Sequence, residues 1–262
     1  MATKIVKDIC GEINLDFDNL LVTETKSGMI FVERYNWPYL DALKFQEACV
    51  DYVYKNPAIS IIISTNHPAC LTVGRGLQKK IGDKTQLVDF SNWQREQINI
   101  PIYDIKRGGG MTFHHPGQLV IYPVVNLTKH KIKVYWLMNN LLKELSEVLC
   151  ELYGPAEFDY CRDLLGLWVN SAKLASIGLQ VRRFVTFHGL ALNVHENETI
   201  NTSLQSIYPC GLPGETYKSL RSIYTDSDQP LVVEEIFSRM KKRLELILEE
   251  NMTCQKSDLE IS

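Results

Sequence analysis

The amino-acid sequence predicts an α/β (α+β) fold, with a mixed, largely antiparallel sheet flanked by helices. Two observations predict it: strand-like and helical segments alternate in the first half of the chain, and three β-rich runs separated by short turns follow in the second half. Alternating elements are typical of layered domains, and closely spaced strands are typical of antiparallel meanders. No linker, internal repeat or low-complexity tract divides the 262 residues, so a single domain over 1–262 is expected.

Strand-like patterns in the first half surround one helical pattern. Asn36 and Pro38 open this helix, which runs to about Tyr54 and is ended by Asn56-Pro57. Four segments have the period-two alternation or the short apolar runs typical of strands, and the loop 66–76 holds a further short strand. These four segments are 28–36, 59–65, 100–107 and 118–127.

The second half begins with a helical pattern over 134–154 that ends at Gly154-Pro155. The three β-rich runs are LLGLWVN, KLASIGLQVR and FVTFHGLALNV, with turns expected at Asn170-Ser171 and around Arg182-Arg183. An amphipathic helix follows over 231–250, and 251–262 is a polar tail. The segment 77–99 is polar and poorly patterned, which predicts a mobile loop over a pocket.

Composition and charge exclude several classes of protein. The net charge of −3 provides no global attraction to nucleic acid or to anionic lipid. No apolar run reaches the ~18 residues of a membrane span, and the acidic first twenty residues resemble neither a secretory signal nor a transit peptide. A cytoplasmic location is therefore expected. The seven cysteines are odd in number and include no CxxC, which argues against a disulfide framework or a zinc ribbon.

The stretch RGGGMTFHHPGQL (107–119) has three interpretations. A phosphate-binding loop requires a Lys-Ser/Thr pair or a helix after the glycines, and neither follows. A metal site is disfavoured because the adjacent side chains of His114 and His115 point to opposite faces of an extended segment, and no HExxH pattern supports them. The third interpretation is a pocket wall in which glycine lets the backbone approach a ligand, with Arg107, Thr112 and His114 beside it. A tight turn without a ligand is the alternative.

Two further side chains stand out from their surroundings. Lys173 lies near the start of an apolar strand, where loss of hydration would make its amine a usable base; a lysine whose head reaches solvent is the alternative. Cys210 lies between Pro209 and Gly211 in a rigid loop, and a nearby cation such as Lys173 would raise its thiolate fraction. A small packed thiol is the alternative there.

A second wall of the pocket is indicated by the run FHGLALNV (187–194). His188 and Gly189 interrupt this otherwise apolar strand, and they form either a further glycine-lined wall or a core histidine satisfied by the backbone.

Four stretches together resemble the octanoyltransferase family: RGGGMTFHHPGQ, KLASIG, HGLALN and PCG, in this order. The stretch HPACLTVGR (67–75) is also similar to that family. The resemblance implies the catalytic-domain fold of biotin and lipoate ligases, and transfer of an octanoyl group from octanoyl-acyl carrier protein to a lysine of lipoyl domains in lipoate biosynthesis. It implies no cofactor and no metal. The motif-bearing core would be about 28–225.

By matching positions, the resemblance implies that Cys210 is the acyl-thioester nucleophile and that Lys173 activates it. The substrate-binding residues it implies are Arg107, Gly108, Gly109, Gly110, Met111, Thr112, Phe113, His114, Ser176, Ile177, Gly178, Gly189, Leu190 and Ala191. Supporting roles are expected for His67, Arg75 and His188. The octyl slot is expected to be lined by Met111, Phe113, Leu190 and Leu192. His115 and Phe113 depart from the family pattern, in which many members have glycine and tyrosine.

The implied partners are octanoyl-acyl carrier protein and the lipoyl domains of 2-oxoacid dehydrogenase complexes or of the glycine cleavage H protein, without nucleic acid or membrane, for a monomeric enzyme. Because both protein partners tend to be acidic, a local basic surface is expected, with candidates Arg75, Lys79, Lys80, Arg182 and Arg183. An ATP-dependent lipoate or biotin ligase of the same fold is the alternative, and a non-catalytic carrier-protein-binding module is the third. The PCG loop and the HxPGQ continuation favour the transferase over the ligase.

Overall fold

A computed structural model describes residues 1–75, 78–81, 84–87, 95–96, 98–160, 165–198, 216–225 and 230–257. In these ranges the helices are α1 (Ala2–Glu12), α2 (Tyr39–Lys55), α3 (Leu127–His130), α4 (Val134–Tyr153), α5 (Leu220–Ile223) and α6 (Val233–Ser257). The strands are β1 (Leu21–Glu24), β2 (Ile30–Arg34), β3 (Ile61–Thr65), β4 (Cys70–Val73), β5 (Gln78–Ile81), β6 (Lys84–Leu87), β7 (Ile102–Asp104), β8 (Met111–His114), β9 (Gln118–Val124), β10 (Phe158–Asp159), β11 (Gly166–Val169), β12 (Ala172–Arg182) and β13 (Val185–Asn193).

Eight strands form the main sheet in the order β1-β2-β3-β9-β13-β12-β11-β10. Neighbours in it are antiparallel except β2 and β3, so the predicted mixed, largely antiparallel sheet is confirmed. A second sheet has the order β7-β4-β8, and β5 pairs with β6. The pairing of β5 and β6 corrects the expectation of a loop over 77–99 in that part.

The predicted meander of β11, β12 and β13 is confirmed, and its two hairpins have two-residue turns. Asn170 and Ser171 have φ values of 47° and 66°, and Arg183 and Phe184 have φ values of 52° and 64°. Left-handed backbone at both turn positions matches the right-handed twist of paired strands. The second turn lies one residue later than predicted, because Arg182 still pairs with Val185.

Helices cover both faces of the main sheet, as the alternation along β9 requires. Leu119 and Ile121 point to the face covered by α4 and α6, whereas Val120, Tyr122 and Val124 point to the face covered by α1 and α2. Helix α1 was not predicted, because the acidic residues of the N-terminal segment hide its apolar stripe. That stripe consists of Ile5, Val6 and Ile9, which are buried against α2 and the sheet. No helix in the described part of the chain is long and apolar enough to cross a bilayer.

Candidate active site

A pocket of about 290 Å³, counting its opening to solvent, lies on the α1/α2 face of the main sheet. The main sheet, strand β8, the first residue of α2 and the glycine loop meet there. The lining residues are Tyr39, Arg107, Thr112, His114, Val120, Tyr122, Ser176, Gly178, His188, Gly189, Leu190 and Ala191. The structure therefore brings together three of the predicted segments, and it adds Tyr39, Val120 and Tyr122, which sequence reasoning missed.

The glycine loop is held by backbone contacts with two strands. The Gly108 amide donates a hydrogen bond to the Leu179 carbonyl at 3.1 Å, and the Gly74 amide donates one to the Gly110 carbonyl at 2.9 Å. A Cβ on Gly178 would lie 2.5 Å from the Gly108 oxygen, so only glycine permits this approach. Gly109 has a φ of 78°, which also favours glycine. In the described residues these glycines serve contact between backbones, and Gly108, Gly109 and Gly110 are not among the residues that line the pocket.

Arg107 is a buried cation that lines the pocket, with 7% of its surface exposed. Its Nη2 donates to the hydroxyl groups of Thr112 at 2.7 Å and Thr72 at 2.9 Å, and its Nη1 donates to the Gly108 carbonyl at 3.0 Å. These bonds hold the guanidinium against the glycine loop. Its positive charge then adds to burial in lowering the pKa values of His114 and His188.

His67 and Tyr122 form a fixed hydrogen-bond chain. The Trp37 carbonyl accepts from His67 Nδ1 at 2.7 Å, which places the ring proton on Nδ1 and leaves Nε2 to accept from the Tyr122 hydroxyl at 2.8 Å. Burial lowers the pKa of His67 to about 4. His67 does not line the pocket itself but supports Tyr122, which does.

His114 is oriented by Gln118. The Gln118 side-chain amide donates to the Phe113 carbonyl at 2.8 Å, so its oxygen is left to accept from His114 Nδ1 at 3.1 Å. Burial, followed by the charges near it, lowers the pKa of His114 well below its usual value. The ring is therefore neutral, with Nε2 as an acceptor.

His188 reaches the pocket through an unusual backbone conformation. Strand alternation would point this residue to the α4/α6 face with Leu190, but its φ of 57° turns the ring toward Phe187 and Tyr122. The buried Gln46 side chain of α2 accepts from the His188 amide at 2.8 Å and holds this conformation. Burial lowers the pKa of His188 to about 3.

The two adjacent histidines of the glycine motif lie in different surroundings, as expected. His115 is buried in the turn after β8, where its Nδ1 accepts from the Gly117 amide at 3.1 Å. It does not line the pocket, so its bulk lies in turn packing and not beside the entrance. Within the ranges described above, no three His, Cys, Asp or Glu side chains come together as metal ligands.

Lys173 is buried, with 4% of its surface exposed, and its ammonium lies 5.4 Å from the Trp168 ring centroid and 5.9 Å from that of Tyr217. A bulge in β12 points it there. Trp168 pairs with Lys173 and Leu167 pairs with Ala175, which leaves Leu174 as an extra residue. Without the bulge, Lys173 would share the face of Ala175, in the α4/α6 core; with it, Lys173 lies on the face of Ser176. A Cβ on Gly166 would lie 2.7 Å from the Lys173 Cε, so glycine makes room for this side chain.

Several expected substrate contacts lie elsewhere in the structure. Met111 and Phe113 alternate with Thr112 and His114 along β8 and pack in a separate apolar cluster. Ile177 and Leu192 face the α4/α6 core. The expected octyl slot is corrected accordingly, because Leu190 is its one predicted member among the described lining residues.

Arg75 is exposed, and its amide donates to the Arg107 carbonyl at 3.1 Å, beside the loop but outside the pocket lining. Cys210 lies outside the described residues.

The expected basic surface is weaker than the sequence indicated. Arg182 and Arg183 contact the Asp51 carboxylate of α2 at 3.2 and 3.4 Å, so this acid offsets their charge. The side chains of Lys79 and Lys80 lie outside the described part. Arg75 is also exposed, and it remains a candidate for this surface.

Comparison with known proteins decides the family. A family model described as the lipoyl protein ligase A/B catalytic domain matches residues 38–245. The chain belongs to this family. An octanoyltransferase from Synechococcus sp. (strain WH7803) is 31% identical over 240 residues, which cover 86% of this chain and 92% of the relative. A chloroplastic octanoyltransferase from Arabidopsis thaliana is 30% identical over 206 residues, covering 76% and 68%.

The expected octanoyltransferase family and acyltransferase class are thereby confirmed, and with them octanoyl transfer in lipoate biosynthesis. Among solved structures, the crystal structure of lipoate-protein ligase A bound with ATP has a TM-score of 0.57 and 12% identity, covering 85% of this chain and 86% of that chain. At this identity the likeness concerns the fold alone, and it confirms the expected lipoate-ligase-like architecture.

Proposed function

We propose that this octanoyltransferase takes the octanoyl group from octanoyl-acyl carrier protein onto Cys210 as a thioester, and then transfers it to a lysine of a lipoyl domain. The observation that carries the proposal is the placement of Lys173. Its amine is buried between aromatic rings, on the sheet face that carries the pocket floor. The bulge and the opposing glycine accommodate a buried amine on this face, and this supports a role for Lys173 in the reaction.

In the first half-reaction, the Cys210 thiolate attacks the thioester carbonyl of the donor. A new carbon–sulfur bond forms, the bond to the carrier-protein sulfur breaks, and that sulfur leaves as a thiolate that takes the proton of the Lys173 ammonium, which leaves Lys173 as a neutral amine. Lys173 as an ammonium would stabilise the attacking thiolate by its charge. One thioester replaces another, so the step requires no nucleotide.

In the second half-reaction, the amine of the acceptor lysine attacks the enzyme thioester. A carbon–nitrogen bond forms, Cys210 leaves as the thiolate, and the proton lost by the attacking amine passes to Lys173 acting as a base. Formation of the amide from a thioester makes this step favourable. Burial lowers the pKa values of the pocket histidines His114 and His188, so these neutral rings add no charge beside Arg107.

The test is intact-mass analysis after mixing the enzyme with octanoyl-acyl carrier protein, with no nucleotide present. One octanoyl adduct is expected on the wild-type chain and on Cys150→Ser, a matched control at a free cysteine of α4. No adduct is expected on Cys210→Ala. An adduct that persists in Cys210→Ala, or transfer to a lipoyl domain that requires ATP, would overturn the proposal.

The role of Lys173 has a separate readout. The rate at which iodoacetamide alkylates Cys210 rises with pH as the thiolate forms. Replacing Lys173 by Met is expected to move this profile to higher pH, because the stabilising charge is lost. An unchanged alkylation profile together with unchanged transfer would show that Lys173 has no part in activation.

The partners, assembly and location extend this proposal. Acyl carrier protein is the donor and a lipoyl domain the acceptor in general; lipoyl domains of 2-oxoacid dehydrogenase complexes and the glycine cleavage H protein are the specific acceptors we propose. A single catalytic domain, a monomer and a cytoplasmic location also stay predictions. Light scattering of the purified chain at micromolar concentration tests the monomer, and a dimer mass would contradict it.

A further inference from the structure

We infer that Tyr39 forms the far wall of the acyl pocket and limits the length of the chain that the enzyme transfers. The inference rests on the proposed function, since it takes the reacting carbonyl to lie beside Lys173. Tyr39 is the first residue of α2 and lines the pocket, and it belongs to none of the motifs that indicated the site.

The floor of the pocket runs straight across the sheet from Lys173. Gly166 pairs with Ser176, Ser176 pairs with Ala191, and Ala191 pairs with Val120. This row starts at the glycine that touches Lys173 and continues through small side chains on the same face. Beyond Val120 the row reaches β3, next to the region of His67 and Tyr39. An extended chain laid on this row therefore meets little side-chain bulk before it reaches Tyr39.

The length of this floor suits a chain of eight carbons. The part of the row that lines the pocket begins at Ser176 on β12 and takes two steps, to Ala191 on β13 and Val120 on β9. Strands lie about 4.8 Å apart, so these two steps span roughly 10 Å. An octanoyl group has seven carbon–carbon bonds of about 1.5 Å, which project to roughly 9 Å in an extended chain. The methyl end then comes to lie near Val120, one strand away from Thr65 of β3 and the neighbouring region of His67 and Tyr39.

Tyr39 is a rigid wall because three rings surround it. Tyr103 and His114 stack on it with centroid distances of 5.2 and 5.7 Å, and His67 meets it edge-on at 5.3 Å. Pro38 immediately precedes it at the N-cap of α2 and restricts the backbone there. Its covered faces leave the ring little room to move away from an incoming acyl chain.

The hydroxyl group of Tyr39 adds bulk to this wall but does not anchor the ring. It is buried and has no hydrogen-bond partner in the described part of the chain. Its removal leaves no partner unpaired, so a change to Phe deepens the pocket by about one heavy atom and does little else. Enzymes with Tyr, Phe and Leu at position 39 should therefore transfer progressively longer acyl chains.

The experiment offers each variant an equimolar mixture of acyl carrier proteins charged with chains of six to fourteen carbons, and measures the modified lipoyl domain by mass. Burial of one methylene is worth about fourfold in affinity. The decanoyl-to-octanoyl product ratio is expected to rise about threefold in Tyr39→Phe and at least tenfold in Tyr39→Leu. Tyr135→Leu makes the same change at a 45%-exposed site on α4, and the wild-type ratio is expected.

A second variant keeps the inference testable if Tyr39→Leu fails to fold by circular dichroism. Ala191→Val adds bulk in the middle of the floor, and product is expected to shift toward hexanoyl. A folded, active Tyr39→Leu with the wild-type ratio would overturn the inference and leave the proposed function intact. Absence of octanoyl transfer by the wild-type enzyme would instead refute the proposed function itself.

Discussion

Replacing Gly166 by Ala tests how Lys173 is held, because the added methyl group would meet two neighbours at once. It would lie 2.2 Å from the Ala175 carbonyl oxygen and 2.7 Å from the Lys173 Cε. Ordinary carbon–oxygen contacts are about 3.3–3.6 Å long, so β11 and β12 must separate by roughly 1 Å at this pair. The lysine stem must also move away from its present place.

The expected magnitudes follow from these two displacements. Overpacking against backbone costs about 1–3 kcal/mol, and the upper end applies here because the carbonyl belongs to a paired strand. For a chain of this size, about 3 kcal/mol lowers the melting temperature by roughly 5–10 °C. A displacement of about 1 Å at a reacting group costs on the order of 100-fold in rate, so octanoyl transfer should fall by this factor.

The assay combines thermal unfolding with single-turnover transfer of octanoate to a lipoyl domain, measured where the variant is still folded. Gly11→Ala is the matched control. It makes the same change in α1 at a position with no atom within 4 Å of the new Cβ, and a gain of about 0.5–1 kcal/mol is expected. A Gly166→Ala protein with wild-type melting temperature and transfer rate would refute the reasoning on the bulge and on Lys173.

Three further predictions concern residues to which we assign no chemical step. Burial lowers the pKa values of His67 to about 4 and His188 to about 3, below their unfolded value near 6.5. Their contribution to stability is thus complete above pH 6.5 and is lost as pH falls toward the folded values; each should cost up to about 2 kcal/mol at pH 5 in urea unfolding. Changing Arg243 to Met leaves the Glu144 carboxylate, 5% exposed, without this partner at 3.2 Å, and should lower the unfolding free energy by about 2 kcal/mol. Changing Gln46 to Leu removes the acceptor of the His188 amide and should cost about 1 kcal/mol, with a larger relative loss of transfer activity.

Each of these three predictions has a control or a result that would contradict it. Unfolding free energies that stay constant between pH 7 and pH 5 would contradict the buried-histidine argument. Arg239→Met changes an exposed arginine of the same helix, and a change below about 0.5 kcal/mol is expected there. Equal losses in Arg239→Met and Arg243→Met would remove the α4–α6 ion pair as the cause. Full transfer activity in Gln46→Leu would show that the backbone of His188 keeps its conformation without Gln46.

Much of the fold was predictable because the relevant signals are local. Apolar alternation indicated β2, short apolar or β-rich runs indicated β3 and β9, and a helical period with a Gly-Pro stop indicated α4. The turns of the meander were visible as polar breaks between β-rich runs. Strand order was not predictable, because the pairing of β9 with both β3 and β13 depends on contacts between distant parts of the chain. Helix α1 was missed since charged residues interrupt its stripe of buried residues.

The residues of the site were predicted only where they carry a local sequence signal. Arg107, Thr112 and His114 were expected from the polar residues around the glycines, and they line the pocket. Tyr39 carries no local signal: a tyrosine after Trp-Pro at a helix start is ordinary, and only packing against His67 and His114 makes it a wall. Met111 and Phe113 failed as pocket residues because alternation along a strand assigns neighbours to opposite faces, and the sequence alone did not tell which face was which.

The sequence by itself determined the family, the reaction class and the chemical groups available to it, since these depend on residue types in a fixed order. The tertiary structure decided which way the decisive side chains point. Lys173 lies on the sheet face that carries the pocket because of one extra residue in β12. His188 faces the pocket because its backbone is left-handed and held by Gln46. Both depart from the simple two-residue period of a strand. The physical reason is that pairing with neighbouring strands and helices fixes a backbone irregularity, and these partners are remote in the sequence.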